Sequence, residues 1–215
     1  MKSRSAFALG SVLVTVAAAC AQGPAADSGS PAAQDATTGA ATSAAPAQCT
    51  PVPRMPVEGR TSAYDSTLVR VDGAEVKVCY GRPAARSRTM VGGDAVPYGR
   101  LWRTGANEPT ILHTPTPVEV AGIPLEPGSY SLYTVPGETE WTVILNRSTS
   151  QWGAEGQYTA EIQAQEVARA TVPSERTTDH VETFTLRSEP AGNGADLVLE
   201  WEHTRVRIPV MARNP

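Results

Sequence analysis

Residues 68–80 read LVRVDGAEVKVCY and carry the pattern of a β-hairpin. Two runs of alternating apolar and polar residues flank Asp72-Gly73, and an Asp-Gly pair favours a type I′ turn, whose twist matches that of the strands. Successive side chains of a strand point to opposite faces. Cys79 is therefore expected on the more polar face of the second strand, and the opposite face holds Val76, Val78 and Tyr80.

Runs with the same period continue along the chain and are separated by turn signals such as Pro127-Gly128 and Pro136-Gly137. They predict strands at 110–114, 118–121, 129–135, 141–145, 181–187, 196–202 and 205–210. Residues 158–172 are ambiguous, since they fit one long strand or a strand pair but also contain Ala, Glu and Gln that suit a helix.

The last two predicted strands differ in parity. The apolar residues of the first are odd-numbered (Leu197, Leu199, Trp201), and those of the second are even-numbered (Val206, Ile208, Val210). One straight strand cannot bury both sets on one face, so we expect a turn or bulge near His203-Thr204. The many short strands and turns predict an all-β fold, a single antiparallel β-sandwich or jelly roll over residues 50–215.

The composition excludes several classes of protein. The 215 residues carry a formal net charge of −4 with a pI of about 5.4, which argues against nucleic acid as a partner. No apolar run reaches the roughly 20 residues that a membrane-spanning helix needs. Eighteen Pro and eighteen Gly residues suit a turn-rich β protein better than a helical bundle.

The first residues have the layout of a secretory signal. Lys2 and Arg4 precede an uncharged stretch that ends in Ala17-Ala18-Ala19-Cys20, which resembles a bacterial lipobox. We therefore predict a lipoprotein signal peptide at 1–19, lipidation at Cys20 and attachment to the cell envelope through that lipid. The alternative is ordinary cleavage after the alanines, with free secretion. Residues 20–49, rich in Ala, Ser, Pro and Gly, are expected to form a flexible tether.

Three cysteines remain to be assigned: Cys20, Cys49 and Cys79. If Cys20 carries lipid, Cys49 and Cys79 are left as a pair in an oxidising compartment, which predicts a disulfide. Two buried free thiols are the alternative. A cysteine metal site is disfavoured because neither cysteine belongs to a C-x-x-C pair.

The segment from Tyr80 to Glu108 follows no strand or helix period. It is rich in Gly and Arg, and its net charge is positive on an otherwise acidic domain. Long connections over a β scaffold are common places for binding sites. We therefore predict that its side chains and one nearby residue line a ligand site: Arg82, Trp102, Arg103, Asn107, Glu108 and His113.

Each of these residues also has an ordinary structural role to set against a functional one. An arginine such as Arg82 or Arg103 binds planar oxygen groups bidentately, or simply pairs with an acidic strand. Trp102 is either a stacking platform for a sugar or a hydrophobic plug. Asn107 and Glu108 either accept hydrogen bonds from a ligand or cap a turn, and a structural Glu108 would pair with Arg103.

The three histidines form no metal-binding pattern. His113 is the one expected near the site, because it follows Glu108 closely in the chain. The sequence contains no G-x-S-x-G elbow, P-loop or dinucleotide fingerprint, and it predicts no metal and no cofactor.

Five stretches resemble an uncharacterised bacterial envelope family, the domain of unknown function numbered 2911. They are VPYGRLWRTGANE (96–108), LEPGSYSLYTVPGE (125–138), EWTVILN (140–146), QWG (151–153) and LEWE (199–202). The resemblance covers roughly residues 65–210. It implies an exported, often lipid-anchored, β-rich domain, and it implies no activity.

Three hypotheses follow for the function. The first is a lipid-anchored envelope protein whose β domain binds a glycan or another oxygen-rich or small anionic ligand without catalysis. The second is an envelope hydrolase that uses Glu108 and His113. The third is a structural or assembly partner whose loop contacts another protein. The sequence leaves open whether the protein is an enzyme.

Overall fold

The computed structural model describes residues 48–52 and 56–213. The predicted signal peptide, Cys20 and the tether up to residue 47 lie outside the described residues. Within the described part, no helix is long and apolar enough to cross a membrane. The strands are β1 (Ala63–Val71), β2 (Ala74–Arg82), β3 (Thr110–Thr114), β4 (Val118–Val120), β5 (Ile123–Leu125), β6 (Gly128–Val135), β7 (Glu140–Asn146), β8 (Glu166–Ala191) and β9 (Gly194–Ala212).

All of these strands belong to one antiparallel sheet in the order β1-β2-β3-β6-β7-β8-β9-β4-β5, which confirms the predicted all-β class. The expected division into the two sheets of a sandwich or jelly roll is not confirmed, because β8 is shared. Its residues 166–173 pair with β7 and its residues 174–191 pair with β9. The change of partner falls at Pro173, which has no N–H to donate to a ladder.

The β1–β2 hairpin has the predicted turn. Asp72 and Gly73 have φ values of 41° and 77°, and Val71 pairs with Ala74 across the two-residue loop. Positive φ at both turn positions is the signature of a type I′ turn. The predicted apolar face of β2 is fully buried, with Val76, Val78 and Tyr80 at most 2% exposed.

The core lies between the inner face of β2, β3, β6 and β7 and the inner face of β8 and β9. Tyr80 of β2 connects the two sides: its hydroxyl donates to the Leu186 carbonyl oxygen at 3.3 Å and accepts from the Leu186 N–H at 3.0 Å. The largest fully buried side chains include Trp141, Trp201, Tyr80, Tyr133, Phe184 and Leu112. This burial supplies the main driving force for folding.

The predicted irregularity in the last strands is confirmed and lies one residue earlier than expected. Glu202 has φ 52°, and the pairing of β9 with β8 shifts around it. The left-handed conformation of Glu202 reverses which face of β9 the following residues point to. The odd-numbered apolar residues before it and the even-numbered ones after it therefore both face the core. Leu197, Leu199, Trp201, Val206, Ile208 and Val210 are all at most 1% exposed.

The ambiguous residues 158–172 divide between two structures. A short helix, α1 (Ala160–Gln163), occupies the part rich in Ala and Glu, and β8 begins at Glu166. β5 has no counterpart among the strands predicted from the sequence. It pairs with β4 through a turn at Ala121-Gly122, where both residues have positive φ.

The predicted Cys49–Cys79 disulfide is present, with a Cα–Cα distance of 5.6 Å. Cys79 lies on the face of β2 opposite the core residues, and it is fully buried because the segment bearing Cys49 crosses that face. The bridge fastens the chain that precedes β1 to the outer side of the sheet.

Candidate functional site

The loop between β2 and β3 is held to the sheet at Trp102. The Trp102 N–H donates to the Thr134 carbonyl oxygen at 2.7 Å, and the Thr134 N–H donates back at 2.9 Å. Trp102 therefore continues the line of β3 alongside β6. Thr134 belongs to the core-facing set of β6, so the side chain paired with it also points into the core.

This placement corrects the prediction that Trp102 is a sugar-stacking platform. Its side chain is buried, at 4% exposure. It stacks on Trp201 with a centroid distance of 5.8 Å and makes edge contacts with Trp141 and Phe184. Trp102 is the hydrophobic plug of the alternative interpretation, and no ligand reaches its faces.

Arg82 is also engaged away from the rest of the predicted site. It donates to Asp65 at 3.0 Å, to the Thr185 hydroxyl at 3.1 Å and to the Phe184 carbonyl oxygen at 3.3 Å. These partners lie on β1 and β8. Arg82 joins the two sides of the core at the surface, and the structure does not bring it to Arg103.

Glu108 is paired with an arginine that the sequence analysis missed. Both carboxylate oxygens accept from Nη1 of Arg60, at 2.9 and 2.8 Å. Each of the two side chains is 1% exposed. The expected pairing of a structural Glu108 with Arg103 is wrong, and the deep burial of Glu108 keeps it from an acid–base role at a surface.

His113 does not lie near Glu108. It stands toward the far end of β3, about 10 Å beyond Thr110 at the usual strand rise. Its Nδ1 is 2.7 Å from the Ser129 hydroxyl of β6. Burial, and then the charge of Lys77 on β2, lower the pKa of His113. The Glu108–His113 combination of the hydrolase hypothesis is therefore not assembled.

The side chain of Arg103 and the backbone carbonyl of Asn107 do come together, at Gly153. The Gly153 N–H donates to the Asn107 carbonyl oxygen at 3.1 Å, and Nη1 of Arg103 donates to the Gly153 carbonyl oxygen at 3.3 Å. A Cβ at Gly153 would stand 2.4 Å from Cδ of Arg103 and 2.6 Å from the Asn107 oxygen. Only a glycine allows this close approach.

The loop that presents Arg103 and Asn107 is sharply bent and internally braced. Thr104 and Asn107 have φ values of 56° and 68°, a region that non-glycine residues seldom adopt. The Thr110 N–H donates to the Arg103 carbonyl oxygen at 3.1 Å, and the Thr110 hydroxyl donates to the Thr104 carbonyl oxygen at 2.6 Å. These bonds fix the position from which the Arg103 side chain leaves the backbone.

The guanidinium of Arg103 is only partly satisfied. Nη1 also contacts Glu155 at 3.4 Å, and the side chain is 27% exposed. Nε is buried without a hydrogen-bond partner, and Nη2 makes no hydrogen bond within the part of the chain that the structure describes. The Nε–Nη2 edge is thus a pair of donors without an acceptor.

A polar network that the sequence analysis did not single out lies beside Arg103. Gln151 donates to the Tyr133 hydroxyl at 3.0 Å and also contacts Ser131 and Ser148. Burial raises the pKa of Tyr133 to about 12. Of the nearby charges, that of Arg103 lowers this pKa and that of Glu155 raises it. The sequence signals for this network were the two stretches that resemble the family, 125–138 with Ser131 and Tyr133, and 151–153 with Gln151.

Another cleft in the described residues involves none of the predicted site residues. It has a volume of about 570 Å³ and is lined by Arg88, Thr89, Met90, Gly93, Asp94 and Ala95. Within residues 48–52 and 56–213, no cluster of three or more His, Cys, Asp or Glu side chains is arranged to hold a metal ion.

Comparison with known protein families matches residues 62–210 to the family described as "Protein of unknown function (DUF2911)". No curated protein and no solved structure matches the chain. The matched residues include Arg103, Asn107 and Gly153, and they begin after Cys49 and Arg60. Because the match spans well over half of the 215 residues, this chain belongs to the DUF2911 family of proteins of unknown function.

Proposed function

We propose that the protein is an exported, lipid-anchored component of the bacterial cell envelope whose β domain binds a small anionic ligand, such as an acidic sugar, without catalysis. The lipobox-like Cys20 and the tether that follows it support the anchor. The Cys49–Cys79 disulfide supports an oxidising compartment, because structural disulfides persist there. The domain would face the periplasm or the cell surface.

The observation that carries the binding function is the Nε–Nη2 edge of Arg103. A buried N–H without an acceptor costs about 1–3 kcal/mol, and this one lies on a side chain whose other end is fixed by Gly153 and Glu155. A carboxylate or phosphate accepts two parallel bonds from such an edge. Binding would therefore satisfy donors that the protein leaves without a partner.

The geometry gives less support to the two alternatives. A hydrolase would need Glu108 and His113 at one place, but Glu108 is enclosed with Arg60. An assembly partner would need a contiguous apolar surface. Among the described residues, the exposed large hydrophobic side chains are Val57 and Tyr98.

The test is a thermal-unfolding screen of the purified exported chain with galacturonate, inorganic phosphate and neutral galactose at constant ionic strength. A ligand that binds only the folded state raises the unfolding midpoint. We expect galacturonate or phosphate to raise it, and Arg103→Gln to abolish the rise.

The matched control is Arg100→Gln, which removes the same charge from an exposed arginine in the same loop. It should leave the response to the anions unchanged. An equal response in wild type and Arg103→Gln, or no response to either anion, contradicts the binding function.

A further inference from the structure

The chain that precedes β1 forms an N-terminal strap, residues 48–52 and 56–60 of the described structure. Cys49 is bonded to Cys79 at one end of it, and Arg60 is paired with Glu108 at the other. The strap lies outside the residues that match the family. Its Arg60 reaches Glu108, which belongs to the 96–108 motif.

Among the described residues 56–60, the strap buries one side chain, that of Arg60. Residues 56–59 are all exposed, whereas the Arg60 side chain is 1% exposed. Gly59, with φ 75°, turns the chain just before Arg60. Residues 56–59 bury so little apolar surface that they open locally at low cost, apart from the interactions of Arg60.

The pocket around Arg60 has the chemistry of a guanidinium site. The Glu108 carboxylate binds Nη1 with both oxygens, and the Pro56 carbonyl oxygen accepts from Nε at 2.9 Å. The guanidinium carbon lies 5.9 Å from the ring centroid of Tyr64, within the range of a cation–π contact. Glu108 and Tyr64 both lie within the residues that match the family, whereas Arg60 does not.

A cation stabilises the carboxylate at this position. An isolated carboxylate as deeply buried as Glu108 is strongly unfavourable, and a positive group in the pocket offsets that cost. Arginine suits it better than lysine, because a planar guanidinium binds a carboxylate and stacks on a ring at the same time.

We propose that Glu108 and Tyr64 form a receptor site for an arginine side chain, which this chain fills with its own Arg60. When the strap opens, the site accepts an arginine from another polypeptide. While the strap is closed, Arg60 acts as a tethered ligand at an effective concentration in the millimolar range, so a free arginine must compete with it. This proposal is independent of ligand binding at Arg103.

The experiment empties the site and refills it. Arg60→Ala in the full exported chain should have a lower unfolding midpoint than wild type. N-ethylguanidinium at millimolar concentration should raise that midpoint, because it binds only the folded state. Its neutral analogue N-ethylurea should have no effect, and wild type should not respond to either compound. If Arg60→Ala is unfolded, recovery of its near-ultraviolet circular dichroism with N-ethylguanidinium is the same test.

The matched control is the double variant Arg60→Ala/Glu108→Gln, which keeps the cavity but lacks the carboxylate. It should not respond to N-ethylguanidinium. A response in the double variant equal to that of Arg60→Ala, or no response in either, overturns the receptor site.

A second pair of probes tests whether an arginine of another chain can enter. Nα-acetylarginine amide should stabilise Arg60→Ala, and the citrulline analogue, which is neutral and of the same shape, should not. A response to N-ethylguanidinium without a response to acetylarginine amide overturns the part of the proposal that involves a second polypeptide.

Discussion

Two arginines hold the 103–108 loop, and they differ in what they leave unsatisfied. Arg60 neutralises a carboxylate that is fully enclosed with it, and breaking such a pair leaves an uncompensated buried charge. Arg103 makes one bond to a backbone oxygen and one to a half-exposed glutamate, Glu155, and keeps two donors without partners. The first arrangement stabilises the loop, and the second is suited to binding.

Alanine substitutions at Arg103 and at Glu108, the partner of Arg60, should therefore affect stability and binding differently. Arg103→Ala should cost about 1 kcal/mol of folding stability or less, and it should weaken binding of an anionic ligand by about 1.5–3 kcal/mol. Glu108→Ala should cost about 3–5 kcal/mol of stability. Urea unfolding of both variants measures the two losses of stability. The affinity of Arg103→Ala for the anionic ligand is measured separately. A large loss of stability in Arg103→Ala with unchanged affinity contradicts the assignment of Arg103 as a binding residue.

Gly153→Ala should damage the site without removing any of its polar groups. The new methyl group would stand 2.4 Å from Cδ of Arg103, so either the arginine or the loop must move. Overpacking of this kind typically costs about 1–3 kcal/mol, and anion binding should fall with it.

Gly156→Ala provides the comparison for that variant. A Cβ at Gly156 meets nothing within 4 Å. Thermal unfolding should show Gly156→Ala close to wild type and Gly153→Ala well below it. Equal midpoints for the two variants would mean that the Arg103 side chain does not lie against Gly153.

At the scale of strands, the outer face of β8 and β9 carries a ladder of paired charges. Glu189 pairs with Arg187 and with Arg207, and Glu200 pairs with Arg187 at 2.7 Å and with Arg205 at 2.5 Å. Cross-strand pairs of opposite charge stabilise a sheet modestly each. A network of them fixes the register of the two longest strands, where the bulge at Glu202 would otherwise permit slippage.

This ladder gives the protein a specific sensitivity to acid. Hydrogen bonds from Arg207, and then from Arg187, lower the pKa of Glu189 from 4.5 to about 2. A carboxylate whose pKa is depressed in the folded state contributes stability above its unfolded pKa and loses it as the pH falls toward the folded one. Stability should therefore decline between about pH 5 and pH 2.

Glu189→Gln should make that decline shallower, and the urea midpoint measured across the same pH range checks it. Glu138→Gln is the control, because Glu138 is exposed and belongs to none of the ion pairs of the described residues. An unchanged pH profile in Glu189→Gln would show that the ladder does not contribute to stability.

The strands were predictable from sequence wherever local chemistry determines them. The hairpin at Asp72-Gly73 and the irregularity near Glu202 both follow from the parity of apolar residues and from turn chemistry. The length of β8 could not be predicted in this way, because the exposed middle of the strand has no apolar alternation and is held in place by its neighbours. Trp102 was misassigned for a related reason: its burial depends on pairing with Thr134, which lies 32 residues away in the chain.

The partner of Glu108 could not be predicted from the sequence either. Its carboxylate meets Arg60 across 48 positions, and nothing local distinguishes Arg60 from the other arginines as that partner. The sequence identified the loop that contains Arg103 and Asn107 through its excess of arginine and glycine. The residue that brings them together, Gly153, is specified only by tertiary contact.

At the scale of the whole molecule, the proposed lipid anchor and tether lead to a domain that is fastened on its outer side by Cys49–Cys79. A disulfide across 30 positions contributes about 3–4 kcal/mol on the chain-entropy model. The strap and its bridge lie directly between the predicted tether and β1. The domain is therefore expected to remain folded close to the membrane surface.

Lipidation at Cys20 should be visible by metabolic labelling with a palmitate analogue. The wild-type chain should incorporate the label and fractionate with membranes, whereas Cys20→Ser should do neither. The Cys49→Ser/Cys79→Ser variant, which keeps Cys20, should still be labelled. An unlabelled wild-type chain in the soluble fraction would contradict the anchor and favour free secretion.

The most direct measurement of the central claim is the ¹⁵N–¹H resonance of the Arg103 Nε–H group, assigned by its disappearance in Arg103→Lys. Because this donor is buried without an acceptor, its signal should be resolved, and it should shift in a saturable manner when galacturonate or phosphate is added. Galactose should leave the Arg103 signal in place. As a control, the signal of the Arg100 Nε–H should not shift when the anions are added. An Arg103 signal that does not move while anions are added to saturation would contradict the claim that this loop is a ligand site.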